Sequence, residues 1–171
     1  LHKRGVFFYT LAMKQSFITE LGLKLNIRFL SDRCFYLAIL LAPLALLLLT
    51  VLIPNWFESS AFPLSLAILF SYIVWQPIIE ELLFRGVIQG QLIKYHWAKL
   101  NYIGFSLANI VASLLFTSVH LLNHSLFWAL SVIFPSLIFG YFRDRFDNIY
   151  PSLILHSIYN SVYIAALLLL N

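Results

Sequence analysis

In a chain of 171 residues, 61% are hydrophobic and only 11% are charged, more apolar surface than a water-soluble core of this size can hide. That excludes a soluble globular domain and a disordered chain, and it predicts an all-α polytopic transmembrane bundle. The formal net charge of +4 comes from bases scattered at segment ends rather than gathered on one face. Nucleic acid is therefore excluded as a partner, and the lipid bilayer remains.

Residues 1–34 carry Lys3, Arg4, Lys14, Lys24, Arg28 and Arg33 against Glu20 and Asp32, a balance that places this part on the cytoplasmic side of a membrane. Phe7, Leu11, Ile18, Leu21, Leu25 and Phe29 recur at roughly helical spacing, so the segment reads as a basic amphipathic helix lying at the interface. Gly5 to Met13 reads equally well as the tail of an upstream span. The chain begins at Leu1, which leaves open whether residues precede it, and shows no cleavable signal peptide, so its apolar segments are expected to be retained. The lone Cys34 has no internal disulfide partner and receives no role.

Residues 35–171 form the transmembrane domain. Charge-free runs extend from Phe35 to Ile53, Ala61 to Ile79, Ile103 to Val119, Ser125 to Phe142, and from Ile149 through His156 and Asn160 to Leu170. Most approach the roughly 20 residues that a spanning helix needs. The loop at 54–60 has Glu58 and no base, Lys94 and Lys99 mark the next turn, 122–125 is uncharged, and Arg143 and Arg145 mark the last. This alternation predicts five crossings, with Ala61 to Ile93 as the second. Pro77 lies inside that segment and is expected to kink or break it. A helical piece beginning at Pro77 would carry Glu80 and Glu81 in its first turn, where the helix dipole favours carboxylates. The alternative is six segments, with Ala61 to Ile79 crossing fully and Pro77 to Ile93 forming a short one.

Glu80, Glu81 and Arg85 are out of place in such a stretch, since each charge at mid-membrane costs at least about 2.5–3.5 kcal/mol. They imply an intramembrane polar cavity. Glu81 and Arg85 are four apart, acid first, the favourable order for a helical ion pair. Glu80 diverges from Glu81 by about 100° and is the candidate reacting carboxylate. On the third span Asn109, Ser113, Thr117 and His120 form a polar stripe, with Phe116 sharing the face of His120. On the last span His156 and Asn160 are four apart and can converge on one oxygen. A single intramembrane histidine is often a packed core residue, but three helices contributing polar groups together favour a site. The bland readings cover the rest: His96 and His124 are interfacial, and Trp56, Trp97 and Trp128 are headgroup anchors. Trp75 is packing or pocket wall, and Asp144 and Asp147 beside Arg143 and Arg145 form a solvated turn.

Three signatures stand in order: Glu80-Glu81-Leu82-Leu83-Phe84-Arg85, then Phe116-Thr117-Ser118-Val119-His120, then His156-Ser157-Ile158-Tyr159-Asn160. Together with Gly140 and the basic residues that follow it, they resemble the CPBP intramembrane glutamic endopeptidases, from Pro77 to about Tyr163. That family includes the type II CAAX prenyl endopeptidases and the bacterial bacteriocin-processing or self-immunity proteins labelled Abi. The resemblance implies hydrolysis of a peptide bond in a membrane-associated peptide or protein, in a multi-pass protein of the bacterial cell membrane. It implies Glu80 and His120 as the activators of water, His156 and Asn160 as oxyanion donors, and Glu81, Arg85 and Phe116 as their support, with no cofactor required. Three rivals remain open. Two histidines and a glutamate are also a zinc set, although no H-E-x-x-H helix is present. A transporter uses similar groups but usually shows duplicated halves, and none is visible here. A self-immunity or scaffold protein without turnover would share the motifs.

Overall fold

The computed structural model describes residues 18–52 and 65–170. It holds four helices long and apolar enough to cross a membrane, together with one shorter apolar helix. In chain order these are α1, Arg33–Leu52; α2, Leu66–Leu92; α3, Leu107–His120; α4, Leu126–Phe146; and α5, Tyr150–Leu170. The chain is an all-α integral membrane protein. Its α2 runs unbroken through Pro77, one continuous helix where the six-segment alternative has two pieces. With 14 residues, α3 is about 21 Å long, less than the roughly 30 Å of a bilayer core.

The outward faces are apolar because lipid, not water, covers them. Leu40, Leu44 and Leu47 of α1 are 63%, 60% and 61% exposed, while Arg85, Glu81, Asn109 and Ser113 are fully buried between helices. Polar groups inside such a bundle must find one another, since hydrocarbon offers no hydrogen bonds. Contacts run from α2 to α3 and α5, from α3 to α4, and from α5 to α1 and α4. An aromatic core of Phe29, Phe35, Phe139 and Phe142 with Ala38 and Leu155 joins α1, α4 and α5. Its rings meet edge to face, as for Phe35 and Phe142 with centroids 5.6 Å apart, the arrangement their quadrupoles prefer.

Two segment boundaries differ from the sequence expectation. Residues 101–106 form a hairpin rather than the start of a span, with Asn101 paired to Ser106 and Tyr102 to Phe105. Ile103 and Gly104 take φ of 53° and 89°, the positive values that a two-residue hairpin turn requires, and the Asn101 side chain accepts from the Gly104 N–H. At the other end of the next span, α4 continues through Arg143 and Arg145 to Phe146, and the turn comes at Asp147 in left-handed conformation.

The expected amphipathic helix falls largely outside the described residues, as do Phe7, Leu11 and Trp56. What is described of it is not one helix. Gly22 N–H closes a turn on the Thr19 carbonyl, a single 3₁₀ turn spans Arg28–Ser31, and Leu25 is 69% exposed while Leu21 and Phe29 are buried. This segment is held by backbone contacts to the bundle. Arg143 donates to the Glu20 carbonyl at 3.0 Å, Asn148 to the Asn26 carbonyl at 2.6 Å, and Ile149 N–H to the Gly22 carbonyl at 3.0 Å.

Gly22 has φ +68°, and a Cβ there would meet the Arg143 guanidinium at 2.8 Å. Gly22→Ala is therefore expected to lose about 1–3 kcal/mol and to open residues 18–31 to limited proteolysis. Gly104→Ala has the same backbone penalty at φ +89° but nothing within 4 Å of its Cβ, and should leave the proteolysis pattern unchanged. Thermal unfolding in detergent with protease footprinting checks both.

Candidate active site

The site is built on a helix whose hydrogen-bond register is shifted twice. Within α2, residues Ser71–Trp75 and Leu82–Gln89 are π-helical, the wider turn that recurs at functional sites. The first of these turns accommodates Pro77. Gln76 N–H reaches back to the Ser71 carbonyl, and position 77, next in that register, has no N–H to give. The Tyr72 carbonyl at the corresponding place accepts from Asn160 Nδ2 at 2.8 Å. The expected break at Pro77 is thus replaced by a register shift that links α2 to α5. Glu80 and Glu81 consequently sit within a continuous helix, not in the first turn of a new one.

Glu81 and Arg85 are both fully buried, and Glu81 Oε2 lies 3.4 Å from Arg85 Nε, the ion pair expected from their spacing. Arg85 Nη2 donates to the Ser136 carbonyl at 2.8 Å and to its hydroxyl at 2.6 Å. Nη1 reaches Gln89 Oε1 at 3.3 Å, Asn109 Oδ1 at 3.5 Å and Ser113 Oγ at 3.4 Å. The guanidinium therefore binds α2, α3 and α4 together. The other Glu81 oxygen, Oε1, is 2.9 Å from His156 Nδ1.

Those contacts decide which ring nitrogens face the site. A carboxylate can only accept, so His156 Nδ1 carries the proton it gives to Glu81, and Nε2 points to Glu80 with a 3.6 Å separation from Oε2. His120 repeats the pattern, its Nδ1 standing 2.9 Å from the Phe116 carbonyl, again an acceptor only. Both imidazoles thus have Nδ1–H anchored and Nε2 turned elsewhere. The Phe116 ring lies between them, with centroids 4.4 Å from His120 and 5.9 Å from His156. Phe139 stacks on His156 at 5.0 Å.

Glu80 differs from its neighbour in solvent access. Its side chain is 29% exposed where that of Glu81 is 0% exposed. The structure therefore gathers Glu80, Glu81, Arg85, Phe116 and His156 into one constellation, joins His120 to it through Phe116, and ties Asn160 to the backbone of α2. Among the described residues no group of three or more His, Cys, Asp or Glu side chains is placed to hold a metal ion.

Several members of the buried network escape a reading by motif. Gln89 continues the Glu81, Arg85 spacing by four more residues, and its Nε2 donates to the Gly140 carbonyl at 2.9 Å and to Asp144 Oδ1 at 2.7 Å. Asp144 is not part of a solvated turn. Its second oxygen accepts from Ser106 at 2.5 Å, while the same Ser106 oxygen caps α3 by accepting from Asn109 N–H. Arg143 is 3% exposed and likewise leaves the solvated category, with only Asp147 and Arg145 exposed. Ser136, Gly140 and Asp144 recur every four residues on α4, a signal visible in the sequence once the helix is known to continue past 142. At Gly140 a Cβ would overlap the Asn109 amide and crowd Arg85. Trp75 is 53% exposed and is not packed in the interior, whereas His124, beside its predicted loop, stacks on Trp128 at 4.1 Å.

Residues 62–162 match the family described as Type II CAAX prenyl endopeptidase Rce1-like. No curated protein and no solved structure matches. The matched segment covers more than half of the chain and contains every polar residue of the constellation, so the chain belongs to the Type II CAAX prenyl endopeptidase Rce1-like family of membrane proteins.

Proposed function

We propose that this protein is an active intramembrane endopeptidase in which Glu80 removes a proton from a water molecule that then attacks a peptide carbonyl. The observation that carries this reading is the contrast between adjacent carboxylates: Glu81 is sealed and paired with Arg85, whereas Glu80 is partly open and faces His156 Nε2. Two acids in unlike surroundings can take unlike roles, one structural and one reactive. His120, with Nδ1–H held by a backbone carbonyl, offers Nε2 as a second contact for the water and as a proton carrier. His156, oriented by Glu81, donates from Nε2 in its protonated form to the oxygen of the tetrahedral intermediate. Asn160 uses one amide N–H on the Tyr72 carbonyl and has a second for the same oxygen. The proton taken by Glu80 passes to the departing amine, so the balance closes without a cofactor.

The substrate in this reading is a membrane-associated peptide or protein, reached from the bilayer or its interface, with residues 1–34 on the cytoplasmic face. Prenylated C-terminal peptides, bacteriocin leaders and tails of membrane proteins all suit it, and internally quenched peptides of each kind, with and without a prenylated cysteine, separate them.

Glu80→Gln keeps the shape of the side chain and removes the base. It is expected to lower turnover at least about a hundredfold, the scale of a general base, with the melting temperature unchanged. Turnover equal to that of the native chain would remove Glu80 from the mechanism and favour a scaffold or self-immunity role. Glu81→Ala leaves a buried guanidinium without its counter-charge, which costs about 3–5 kcal/mol, so stability and activity should fall together. Activity is also expected to persist after treatment with a strong chelator. Loss that zinc reverses would select the metalloprotease reading instead.

A further inference from the structure

Asp144 plays no part in the reaction just described, yet it is the second carboxylate of the buried network. It lies on α4, in the wall of an open pocket of about 450 Å³ bounded also by Lys99, Ser106, Tyr141 and Arg143. That pocket includes Ile93, just past the end of α2 and thirteen residues from Glu80, so it lies at most roughly 20 Å along the helix axis from the proposed base.

A continuous set of contacts joins the two places. Ser106 fixes one Asp144 oxygen at 2.5 Å, and the other accepts from Gln89 Nε2 at 2.7 Å. This determines which way the Gln89 amide faces. With its nitrogen committed to Asp144 and to the Gly140 carbonyl, its oxygen is turned to Arg85 Nη1 at 3.3 Å. Arg85 in turn holds Glu81, and Glu81 holds His156 Nδ1. Charge follows the same path, since the Arg85 guanidinium interacts electrostatically with the carboxylates of both Glu81 and Asp144. If Asp144 were neutral, Arg85 would draw more strongly on Glu81, the group that orients His156.

We infer that Asp144 is a positioning residue for the proposed hydrolysis, acting through Gln89 and Arg85 to hold the Glu81–His156 pair in its reactive orientation. The inference rests on the endopeptidase reading above. Its role is electrostatic and orientational, because Asp144 bonds Gln89 and Ser106 rather than Glu80, His120 or His156. The nearly isosteric amide of asparagine deletes the charge while its oxygen still accepts from Gln89, and the Ser106 contact reverses because the amide nitrogen only donates.

The test uses the full chain in lipid nanodiscs and an internally quenched peptide cleaved by the native protein but not by Glu80→Gln. Asp144→Asn is expected to lower kcat by about tenfold to a hundredfold, the scale of a small misplacement of reacting groups, with KM within about twofold. Adding Gln89→Glu to Asp144→Asn restores a carboxylate beside Arg85 and should recover most of the lost kcat. This rescue is not expected if Asp144 merely helps the helices pack. Should Asp144→Asn fail to fold, the Gln89→Glu/Asp144→Asn pair carries the test, and a folded pair without turnover overturns the inference. So does an unchanged kcat for Asp144→Asn, or a loss confined to KM. If no peptide shows Glu80-dependent cleavage, the endopeptidase reading falls and this inference with it. If cleavage depends on Glu80 but not on Asp144, only the inference falls.

Discussion

A guanidinium with no exposed surface, Arg85, is the constraint around which the helices are arranged. Burying such a charge costs several kcal/mol unless geometry and counter-charge offset it. Here Nη1 and Nη2 take oxygens from three helices, and Glu81 lies beside Nε. Satisfying the ion fixes the separation of α2, α3 and α4. Small residues at Ser113, Ser136 and Gly140 make that separation possible, and the overlap of any Cβ at Gly140 with Asn109 shows how little room is left. In a membrane, where apolar faces gain nothing by leaving lipid for one another, packing and polar contacts of this kind supply the specificity of association.

The same ion produces the asymmetry between the two glutamates. Adjacent residues on a helix diverge by about 100°, so one carboxylate can face Arg85 while the other cannot. Glu81 takes the interior position and, through Oε1, sets the ring of His156. Glu80 is left on the more open side with Nε2 of that ring as its neighbour. Phe116 and Phe139 clamp the imidazoles by contact with their faces and edges, restricting rotation without competing for their protons. Orientation by a second set of residues, rather than additional reactive groups, is what the surrounding sequence contributes.

Much of this was legible in the residues alone, for reasons that also mark the limits. Lipid-facing segments are long and charge-free, so the helices could be placed to within a few residues, and the Glu81–Arg85 pair follows from helical spacing. The hairpin at 101–106 did not show itself, because apolar residues such as Tyr102, Ile103 and Phe105 continue the hydrophobic run and only Gly104 marks the turn. Asp144 reads as part of a solvated turn in the sequence because Arg143, Arg145 and Asp147 surround it and a cluster of charges resembles a loop. Its inward direction depends on α4 continuing to Phe146, which no local signal declares. Pro77 was read as a break because the ordinary α register leaves no place for it.

The treatment of Pro77 shows how a local defect becomes part of the tertiary design. A proline inside a helix removes one donor and crowds a carbonyl, and in hydrocarbon the groups it affects need partners close at hand. The π turn at Ser71–Trp75 shifts the register so that Gln76 serves Ser71, and the Tyr72 carbonyl takes its bond from Asn160 on another helix. One irregularity in α2 therefore fixes the rotation of α5 about its axis. Since His156 lies one turn from Asn160 on the same helix, that rotation also brings its imidazole to Glu81 and Glu80. The second π turn, at Leu82–Gln89, contains Arg85 and Gln89, and its wider winding limits the drift that residues four apart otherwise accumulate. Both departures from α geometry thus lie where polar groups must meet, whereas the lipid-facing helix α1 holds its own internal proline, Pro43, without a π turn.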